Sequence, residues 1–329
     1  MSTGLVAFGE LMLRFSPPAG ERLLQSPVLR TNFGGSEANV AVGYAQLGHP
    51  ATFVTALPPS VLGDAAIAAL RAEGLDTRHV VRREGRLGTY YVEGGSDCRP
   101  MRVVYDREHA AIRALAPDDV AWEAVLDGAT WLHVSGITAA LGETCLSTLR
   151  QAVATARRLG VRTSVDLNWR PALWAGRDPQ PVLVPLVDDV ALLVANVHAI
   201  RAMLGIGADE ADAATIARAV QARHGAHAVA VTTRDVVSAS RHHWQAGWLA
   251  ARGAAWHASP SWDVQVTDRV GGGDAFVAGL LHAIDAGMAP QAAIDFAAAT
   301  GALKLTVPGD FNRVTVAEVE QAMRARQGR

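Results

Sequence analysis

Short runs of β-branched and other apolar residues alternate along this chain with longer alanine-rich segments. This alternation restricts the possible folds more than any other feature of the sequence. The runs predict six strands, over Leu5–Phe8, Ala51–Ala56, Trp131–Ser135, Val161–Leu167, Ala191–Ala195 and Ala228–Thr232. Three of the segments between them predict helices that a following glycine would end, over Ser36–Leu47, Asp64–Glu73 and Glu143–Leu159. Strands and helices in alternation predict an α/β fold with a mostly parallel central sheet and helices on both faces.

Two segments, residues 12–33 and 86–107, interrupt the alternation. In the second, Thr89–Val92 and Arg102–Tyr105 predict short extra strands. We interpret the two segments as a small β lid over the carboxyl ends of the central strands, where proteins of this class bind ligands. Because the 329-residue chain shows no repeat, linker or low-complexity tract, we expect a single domain over residues 1–329 with the lid inserted within it.

The charge balance and the composition disfavour several partners and sites. The chain has 30 Lys and Arg against 32 Asp and Glu, so it lacks the basic excess that neutralises nucleic-acid phosphates. Its 2 cysteines cannot form a disulfide framework or a four-thiolate zinc site. The amino-terminal residues lack the basic start of a signal peptide, and apolar stretches such as residues 190–197 are too short to cross a bilayer. We expect a cytoplasmic protein with no nucleic-acid or membrane partner.

Two nucleotide-binding motifs are missing. The only lysine, Lys304, lies between Leu303 and Leu305, whereas a Walker A loop requires Gly-Lys-Ser/Thr. No Gly-x-Gly-x-x-Gly follows the first predicted strand, which argues against a dinucleotide-dependent dehydrogenase.

The most informative segment places Gly271, Gly272 and Gly273 directly before Asp274, at the start of a predicted helix. Consecutive glycines let backbone N–H groups converge on an anion, which also meets the positive end of the helix dipole. An ionised aspartate beside that anion can accept the proton of an attacking hydroxyl. The segment therefore indicates phosphoryl transfer to an alcohol, and a glycine turn with Asp274 as a helix cap is the alternative.

A second glycine pair, Gly34 and Gly35, precedes the predicted helix that begins at Ser36, and Asn39 lies about one turn inside it. Because asparagine is a poor helix former, a buried Asn39 would serve either as a hydrogen-bond donor to a ligand or as a local brace. Taken alone, this segment favours simple capping of the helix.

Together the two segments resemble the signatures of the ribokinase/PfkB family of carbohydrate kinases, with Gly-Gly-Gly-Asp where Gly-Ala-Gly-Asp is more common. The resemblance extends along nearly the whole chain. Within the family, the sequence is most similar to 2-keto-3-deoxygluconate kinases. The segments that carry this narrower similarity are residues 9–14 with 16–18, 104–107, 135–138, 166–170, 233–234 with 238–239, and 307–312.

The resemblance implies a ribokinase-like fold and an ATP-dependent kinase of the 6-hydroxyl of 2-keto-3-deoxygluconate or a close acid sugar. It implies that Asp274 is the catalytic base and that the amides of Gly271, Gly272 and Gly273 hold the transferring phosphoryl charge. The implied sugar-binding residues are Gly34, Gly35, Asn39, Tyr90, Tyr105, Arg107, Ile137 and Arg170. The implied ATP-binding residues are Asn196, Thr232, Arg234, Gly271, Gly273 and Lys304. Mg²⁺ is the implied cofactor beside ATP, a monovalent cation such as K⁺ is left open, and a homo-oligomer is expected by analogy alone.

The residues themselves also indicate a ligand-binding role for Arg170. It follows the predicted strand Val161–Leu167, and its guanidinium can pair with a carboxylate through two parallel hydrogen bonds. The alternative is a surface arginine paired with a nearby acid. Tyr105 and Arg107 would face the opposite side of their strand from Asp106 and so reach the same pocket, although without the resemblance a solvated edge strand is favoured.

One segment departs from the family pattern. Members often carry an Asn-x-x-Glu motif that helps to organise Mg²⁺ and phosphate, whereas here Asn196 is followed at that spacing by Ala199. The missing carboxylate puts metal affinity or turnover in question, but Mg²⁺ sites tolerate ligand changes because the ion keeps several waters.

Two other functions therefore stay open. One is a kinase of a neutral sugar, such as a fructokinase or a ribokinase. The other is a sugar- or nucleotide-binding regulator that has lost catalysis, which only the substitution at Ala199 supports.

Overall fold

The alternating runs form one large, mostly parallel sheet in a computed structural model of the chain, which describes residues 4–208 and 211–327. The strands are β1 (Gly4–Phe8), β2 (Met12–Ser16), β3 (Arg30–Gly34), β4 (Ala51–Leu57), β5 (Val80–Arg82), β6 (Gly88–Glu93), β7 (Arg102–Asp106), β8 (Ala129–Ser135), β9 (Arg162–Asp166), β10 (Leu192–Asn196), β11 (Ala228–Ser238), β12 (Arg241–Leu249), β13 (Trp256–Ala258) and β14 (Trp262–Gln265). The helices are α1 (Ser36–Gln46), α2 (Val61–Ala72), α3 (Trp122–Val125), α4 (Gly136–Ala140), α5 (Glu143–Leu159), α6 (Pro171–Trp174), α7 (Gln180–Val187), α8 (Val197–Leu204), α9 (Ala213–His224), α10 (Gly272–Asp285), α11 (Pro290–Lys304) and α12 (Val316–Gln327).

Across the described residues, the strands of the large sheet lie in the order β13-β12-β11-β10-β9-β8-β1-β4-β5, and β14 also pairs with β12. Pairing is parallel from β11 to β5, so the carboxyl ends of these strands share one edge. In this register Leu5 of β1 lies opposite Ala51 of β4 and Trp131 of β8. Strand β12 pairs antiparallel with β11, β13 and β14. Most of the sheet is therefore parallel, as predicted.

Helices cover both faces of this sheet and separate two hydrophobic cores. Along β1, Leu5 and Ala7 belong to one core and Val6 and Phe8 to the other, and all four are fully buried. This division follows from the alternation of side chains along a strand. The first core also contains residues of α1, α2 and α10–α12, and the second contains residues of α3–α9. The predicted α/β architecture is confirmed.

A second sheet of four strands, in the order β3-β2-β6-β7, forms the predicted lid. Its strands come from the two segments that interrupt the alternation, and β2 and β6 pair parallel at its centre. Met12, Tyr90 and Val92 form a small buried cluster on this sheet, and Val270 packs against them. Since Val270 directly precedes Gly271 and α10, the lid rests on the loop that opens this helix.

The structure differs from the sequence prediction at several boundaries. Strand β11 extends to Ser238 rather than Thr232 and continues as a hairpin into β12. Helix α2 begins at Val61, because the side chain of Ser60 caps it and accepts a hydrogen bond from the backbone N–H of Gly63. Among the described residues, no helix has both the length and the apolar character needed to span a bilayer.

At the amino-terminal edge of the strands, Asp285 of α10 joins three other elements. It accepts hydrogen bonds from the hydroxyl of Tyr44 at 2.5 Å and from the indole Nε1 of Trp131 at 3.0 Å. Arg162 at the start of β9 forms an ion pair with the same carboxylate at 2.5 Å. Tyr44 and Trp131 are each only 2% exposed, so Asp285 satisfies two donors that have little access to water.

We expect Asp285→Ala to lower the free energy of unfolding by about 3 kcal/mol, because it leaves these two buried donors without an acceptor. Asp263→Ala is the matched control, since Asp263 pairs with Arg241 at the surface and its loss should cost less than about 1 kcal/mol. Urea denaturation measures both variants. Equal destabilisation would show that Asp285 contributes no more than a surface ion pair.

Candidate active site

A cavity of about 810 Å³ lies at the carboxyl ends of the large sheet, beneath the lid. Its wall combines residues of β6 and β7, the ends of β9–β11 and the loop before α10. The predicted site residues that line it are Gly35, Asn39, Tyr90, Tyr105, Arg107, Ile137, Arg170, Asn196, Thr232, Arg234, Gly271, Gly273 and Asp274. The fold thus brings residues from nearly the whole chain to one cavity.

The other predicted site residues, Gly34, Gly272 and Lys304, are not among those that line the cavity. Lys304 ends α11 and is fully buried, and its Nζ donates a hydrogen bond to the carbonyl of Val307 at 3.1 Å. Its burial lowers the pKa of the ammonium group, an effect that Asp268 opposes. The resemblance implies contact with ATP, but the structure places Lys304 as a support behind the wall.

The loop before α10 is anchored by Asp268. Its carboxylate accepts hydrogen bonds from the backbone N–H groups of Val270 and Gly309, each at 3.1 Å. Arg14 of the lid strand β2 forms ion pairs with Asp268 at 2.7 Å and with Asp310 at 3.0 Å. One buried guanidinium therefore ties the lid to two loops on the opposite wall.

Gly271 begins α10 as predicted. It is the residue before the first turn and has the left-handed φ of 83°, which glycine adopts at little cost. A Cβ at this position would lie 2.2 Å from the carbonyl oxygen of Asp310. Both the conformation and the close approach therefore require glycine here.

Asp274, in the first turn of α10, is buried and held from two sides. Its Oδ2 accepts a hydrogen bond from the amide of Asn39 at 2.7 Å, and its Oδ1 accepts one from the hydroxyl of Ser36 at 2.9 Å. Asn168 in turn donates to Ser36 at 2.6 Å. Burial raises the pKa of Asp274, while the hydrogen bonds from Asn39 and Ser36 oppose the shift. The carboxylate is thus oriented and has an increased proton affinity.

The start of α1 is built to reach Asp274. A Cβ on Gly35 would lie 1.9 Å from the carbonyl oxygen of Glu10, so only glycine lets the helix begin this close to the end of β1. The backbone N–H of Gly35 donates to the side-chain oxygen of Asn39 at 3.3 Å, which leaves the Asn39 amide to face Asp274. Asn39 therefore braces Asp274 and also lines the cavity.

Two further acids near Asp274 have raised pKa values. Glu37 of α1 accepts hydrogen bonds from Ser135 at 2.6 Å and Thr138 at 2.5 Å, and its other oxygen is buried without a partner in the part of the chain described. Burial raises the pKa of Glu37 to about 7. Burial, reinforced by Asp274, also raises the pKa of Asp166 to about 7. A proton on either acid limits the negative charge around Asp274.

On the lid side, Arg107 is already neutralised. Its guanidinium forms an ion pair with Glu10 at 3.1 Å, and both side chains are buried. It also lies 4.3 Å from the centroid of the Tyr105 ring, which stacks on Tyr90 at 5.8 Å. The hydroxyl of Tyr90 donates to Asp310. The side chain of Arg107 is therefore held in place, and its positive charge is balanced by Glu10.

Arg170 is different, because it lines the cavity without forming an ion pair within the described residues, although its charge acts on Asp274 and Asp166. It follows β9, is exposed, and donates to the carbonyl oxygen of Trp169 at 3.1 Å. No ion pair with a carboxylate is present for it among residues 4–208 and 211–327. Its charge remains available for an anionic ligand.

Asn196 and Thr232 are neighbours at the ends of β10 and β11. The side-chain oxygen of Asn196 accepts a hydrogen bond from the backbone N–H of Ala199 at 2.8 Å and caps α8. Ala199 itself is fully buried in one of the two cores. The position that carries glutamate in many family members is therefore packed among apolar side chains here.

Sequence reasoning missed the residues that hold the predicted ones in place. They are Glu10, Arg14, Ser36, Glu37, Asp166, Asn168, Asp268, Arg269 and Asp310. Several adjoin a signature segment, as Ser36 and Arg269 do, and this adjacency could have indicated them. The pairing of Arg14 with Asp310 joins positions 296 apart, and no local pattern could reveal it.

Comparison with known proteins gives a consistent result. The family described as pfkB family carbohydrate kinase matches residues 2–315. A 2-dehydro-3-deoxygalactonokinase of Haloferax volcanii is 37% identical over 98% of each chain. A crystal structure of 2-dehydro-3-deoxygluconokinase from Thermotoga maritima has a TM-score of 0.95 and 38% identity, and covers 98% of this chain and 99% of its own. Fructokinase-1 of Oryza sativa subsp. japonica is 29% identical over 93% of this chain and 92% of its own.

We expect Glu37→Gln to weaken the dependence of stability on pH. Since the pKa of Glu37 is raised from 4.5 to about 7, the stabilisation from its proton is complete below pH 4.5 and is lost as the pH rises through 7. Glutamine stays neutral, so the variant should lose roughly 2–3 kcal/mol less than the native protein between pH 5 and pH 8.

Urea denaturation at both pH values measures this difference. Glu143→Gln, at an exposed position of α5, is the control and should keep the native pH dependence. The same loss of stability in Glu37→Gln and the native protein would contradict a protonated Glu37.

Proposed function

Because this chain belongs to the pfkB family of carbohydrate kinases, we propose that it transfers the γ-phosphoryl group of ATP to the 6-hydroxyl of a 2-keto-3-deoxy sugar acid. The two relatives at 37% and 38% identity are named for the 2-dehydro-3-deoxy acids of galactonate and gluconate. The substrate in this proposal is 2-keto-3-deoxygluconate or a close acid sugar, such as the galactonate epimer. ATP is the phosphoryl donor.

The placement of Asp274 is the observation that carries the proposal. It is a buried, oriented carboxylate in the first turn of α10, next to Gly271 and Gly273 on the cavity wall. Burial raises the pKa of Asp274, which increases its affinity for the proton of an attacking hydroxyl. The amino-terminal end of α10 also favours negative charge at this point.

In the proposed reaction, the oxygen of the sugar hydroxyl attacks the γ-phosphorus of ATP. Its proton passes to Asp274, the new O–P bond forms, and the bond from the γ-phosphorus to the bridging oxygen breaks, so that ADP leaves with that electron pair. The backbone amides of the glycine loop stabilise the charge on the transferring group, since preorganised donors act most strongly where charge develops.

The preference for an acid sugar rests on Arg170. Its guanidinium lines the cavity without a counterion in the described structure, whereas Arg107 is paired with Glu10. A carboxylate fits the fork geometry of an arginine, and a neutral sugar would leave that donor pair unsatisfied. Tyr90, Tyr105 and Arg107 then shape the site from the lid.

ATP is proposed to bind along the ends of β10 and β11, where Asn196, Thr232 and Arg234 line the cavity. Mg²⁺ supplies neutralisation of the phosphate charge when it is bound. The described residues hold no group of three or more acidic, histidine or cysteine side chains that converges on a metal. In this proposal Mg²⁺ is held mainly by phosphate oxygens and water, and Asp166 of the cavity wall is the carboxylate that would hold it.

Asp274→Asn should lower kcat by at least about 10²-fold and leave ATP binding unchanged, because it removes the proton acceptor and preserves the shape of the side chain. Steady-state kinetics and calorimetric titration with ATP measure the two effects. Asp263→Asn, at the surface, is the control and should retain native values. Near-native turnover in Asp274→Asn would remove Asp274 from the role of base.

A panel of 2-keto-3-deoxygluconate, gluconate, fructose and ribose tests the substrate class. The native enzyme should have its highest kcat/KM with 2-keto-3-deoxygluconate. Arg170→Ala should lower that value about 10- to 100-fold and change the value for fructose little, since a charge-assisted hydrogen bond contributes roughly 1.5–3 kcal/mol. Arg150→Ala, at an exposed position of α5, is the matched control.

Each alternative gives a different outcome in this panel. Preference of the native enzyme for fructose or ribose would support a neutral-sugar kinase and overturn the role of Arg170. Binding of ATP without phosphorylation of any sugar would support a regulator that has lost catalysis.

A further inference from the structure

Three arginines, Arg170, Arg234 and Arg269, line the cavity together. Within residues 4–208 and 211–327, none of the three forms an ion pair, whereas the other two arginines of the site are neutralised: Arg14 by Asp268 and Asp310, and Arg107 by Glu10. In the proposed function Arg170 binds the sugar acid and Arg234 binds ATP. Arg269 has no assigned role.

The backbone around Arg269 is fixed, although its side chain is free. The preceding residue, Asp268, accepts a hydrogen bond from the N–H of the following residue, Val270, at 3.1 Å. The same carboxylate accepts from Gly309 and pairs with Arg14 at 2.7 Å. Since Asp268 is fully engaged, it does not neutralise its neighbour. Arg269 is therefore held in register with the glycine loop while its half-buried side chain enters the cavity uncompensated.

Arg269 interacts electrostatically with both of the other arginines that lack an ion pair within the described residues. Burial lowers the pKa of Arg234 to about 10, and the charges of Arg269 and Arg170 add to this effect. Burial and the charge of Arg170 also lower the pKa of Arg269. Arg170 in turn acts on Asp274, the proposed base. Three like charges that act on one another in one cavity favour an anionic ligand there.

We propose that Arg269 binds the phosphoryl group during its transfer from ATP to the sugar, and this inference rests on the proposed function. As the bond between the sugar oxygen and phosphorus forms and the bond to the ADP oxygen breaks, the guanidinium donates to the equatorial oxygens of the phosphoryl group. The proton of the sugar hydroxyl goes to Asp274, and Arg269 stays protonated throughout. Its charge adds to that of the amides of Gly271 and Gly273.

The position of Arg269 favours the phosphoryl group over the sugar carboxylate as its ligand. It is separated from Gly271 by Val270 alone, on the loop before α10 whose amides are proposed to bind the transferring group. The chain also lacks a carboxylate at Ala199, which is buried in a core. A protein cation at Arg269 supplies neutralisation that does not depend on a metal-organising acid at that position.

The first test compares ADP with ADP plus aluminium fluoride, which mimics the transferring phosphoryl group, in the presence of Mg²⁺ and saturating 2-keto-3-deoxygluconate. Calorimetry on the native enzyme should show much tighter binding with aluminium fluoride. In Arg269→Gln the affinity for ADP alone should stay within about threefold of the native value, while the gain from aluminium fluoride should fall at least about tenfold. An undiminished gain would overturn the proposal.

Kinetics provides the second test. Arg269→Gln should lower kcat about 10²-fold with little change in either KM, because the contact is made in the transition state. Added guanidinium should restore part of the turnover of Arg269→Ala. A raised KM for the acid sugar with unchanged kcat would instead make Arg269 a carboxylate ligand and overturn the proposal. Arg150→Gln is the control for loss of an exposed arginine.

Failure of the proposed function is recognised separately. If the native enzyme phosphorylates a neutral sugar and not the acid, the substrate assignment is wrong, and the aluminium fluoride comparison is made with that sugar. If it phosphorylates neither, the aluminium fluoride gain should be absent from the native protein as well, which overturns both proposals. The midpoint of thermal unfolding of Arg269→Gln should equal that of the native protein, because the side chain forms no internal ion pair among the described residues. This measurement shows that the variant is folded.

Discussion

The geometry of the site depends on the ion pairs that the buried guanidinium of Arg14 forms. This side chain extends from lid strand β2 and forms ion pairs with Asp268, before the glycine loop, and Asp310, after α11. Asn32 and Tyr90, also from the lid, donate to Asp310. Removing one member of such a group leaves an uncompensated buried charge. The charged residues therefore stabilise the structure only when all of them are present. The lid, the glycine loop and the carboxyl-terminal region therefore share one geometry.

The same network explains which parts of the fold could be predicted. The strands and helices of the central sheet follow from local periodicity, as Leu5–Phe8 and Glu143–Leu159 illustrate, because each face buries its own apolar side chains. The segment Arg241–Leu249 was missed, since histidine, glutamine and arginine are interspersed with its tryptophans and its pairing with β11 is long-range. Arg14 and Asp310 lie in segments that resemble the family, but their pairing carries no local signal, because only the tertiary fold brings them together.

The site itself shows a similar division. A run of glycines before a helix can be recognised in the sequence as a turn that other residues would not allow. Gly271 indeed adopts a left-handed conformation, and it lies close to the backbone of Asp310. The role of Asn39 could be narrowed to two choices, and the structure shows both the hydrogen bond of a brace to Asp274 and a place on the cavity wall. The protonation of Glu37, by contrast, depends on its complete burial beside Ser135 and Thr138, which composition and spacing do not reveal.

The burial of Lys304 has a chemical consequence for the whole molecule. It is the only lysine of the chain, so every other basic side chain apart from histidine is an arginine, and an exposed arginine keeps its charge up to about pH 12. The surface positive charge consequently does not titrate in the range where lysine-rich proteins lose theirs. Acylating reagents meet a single side-chain amine, which is fully buried against the loop that opens α10. The rate at which an acylating reagent modifies that amine therefore measures how often the interior behind the cavity opens, and no residue has to be introduced for the experiment.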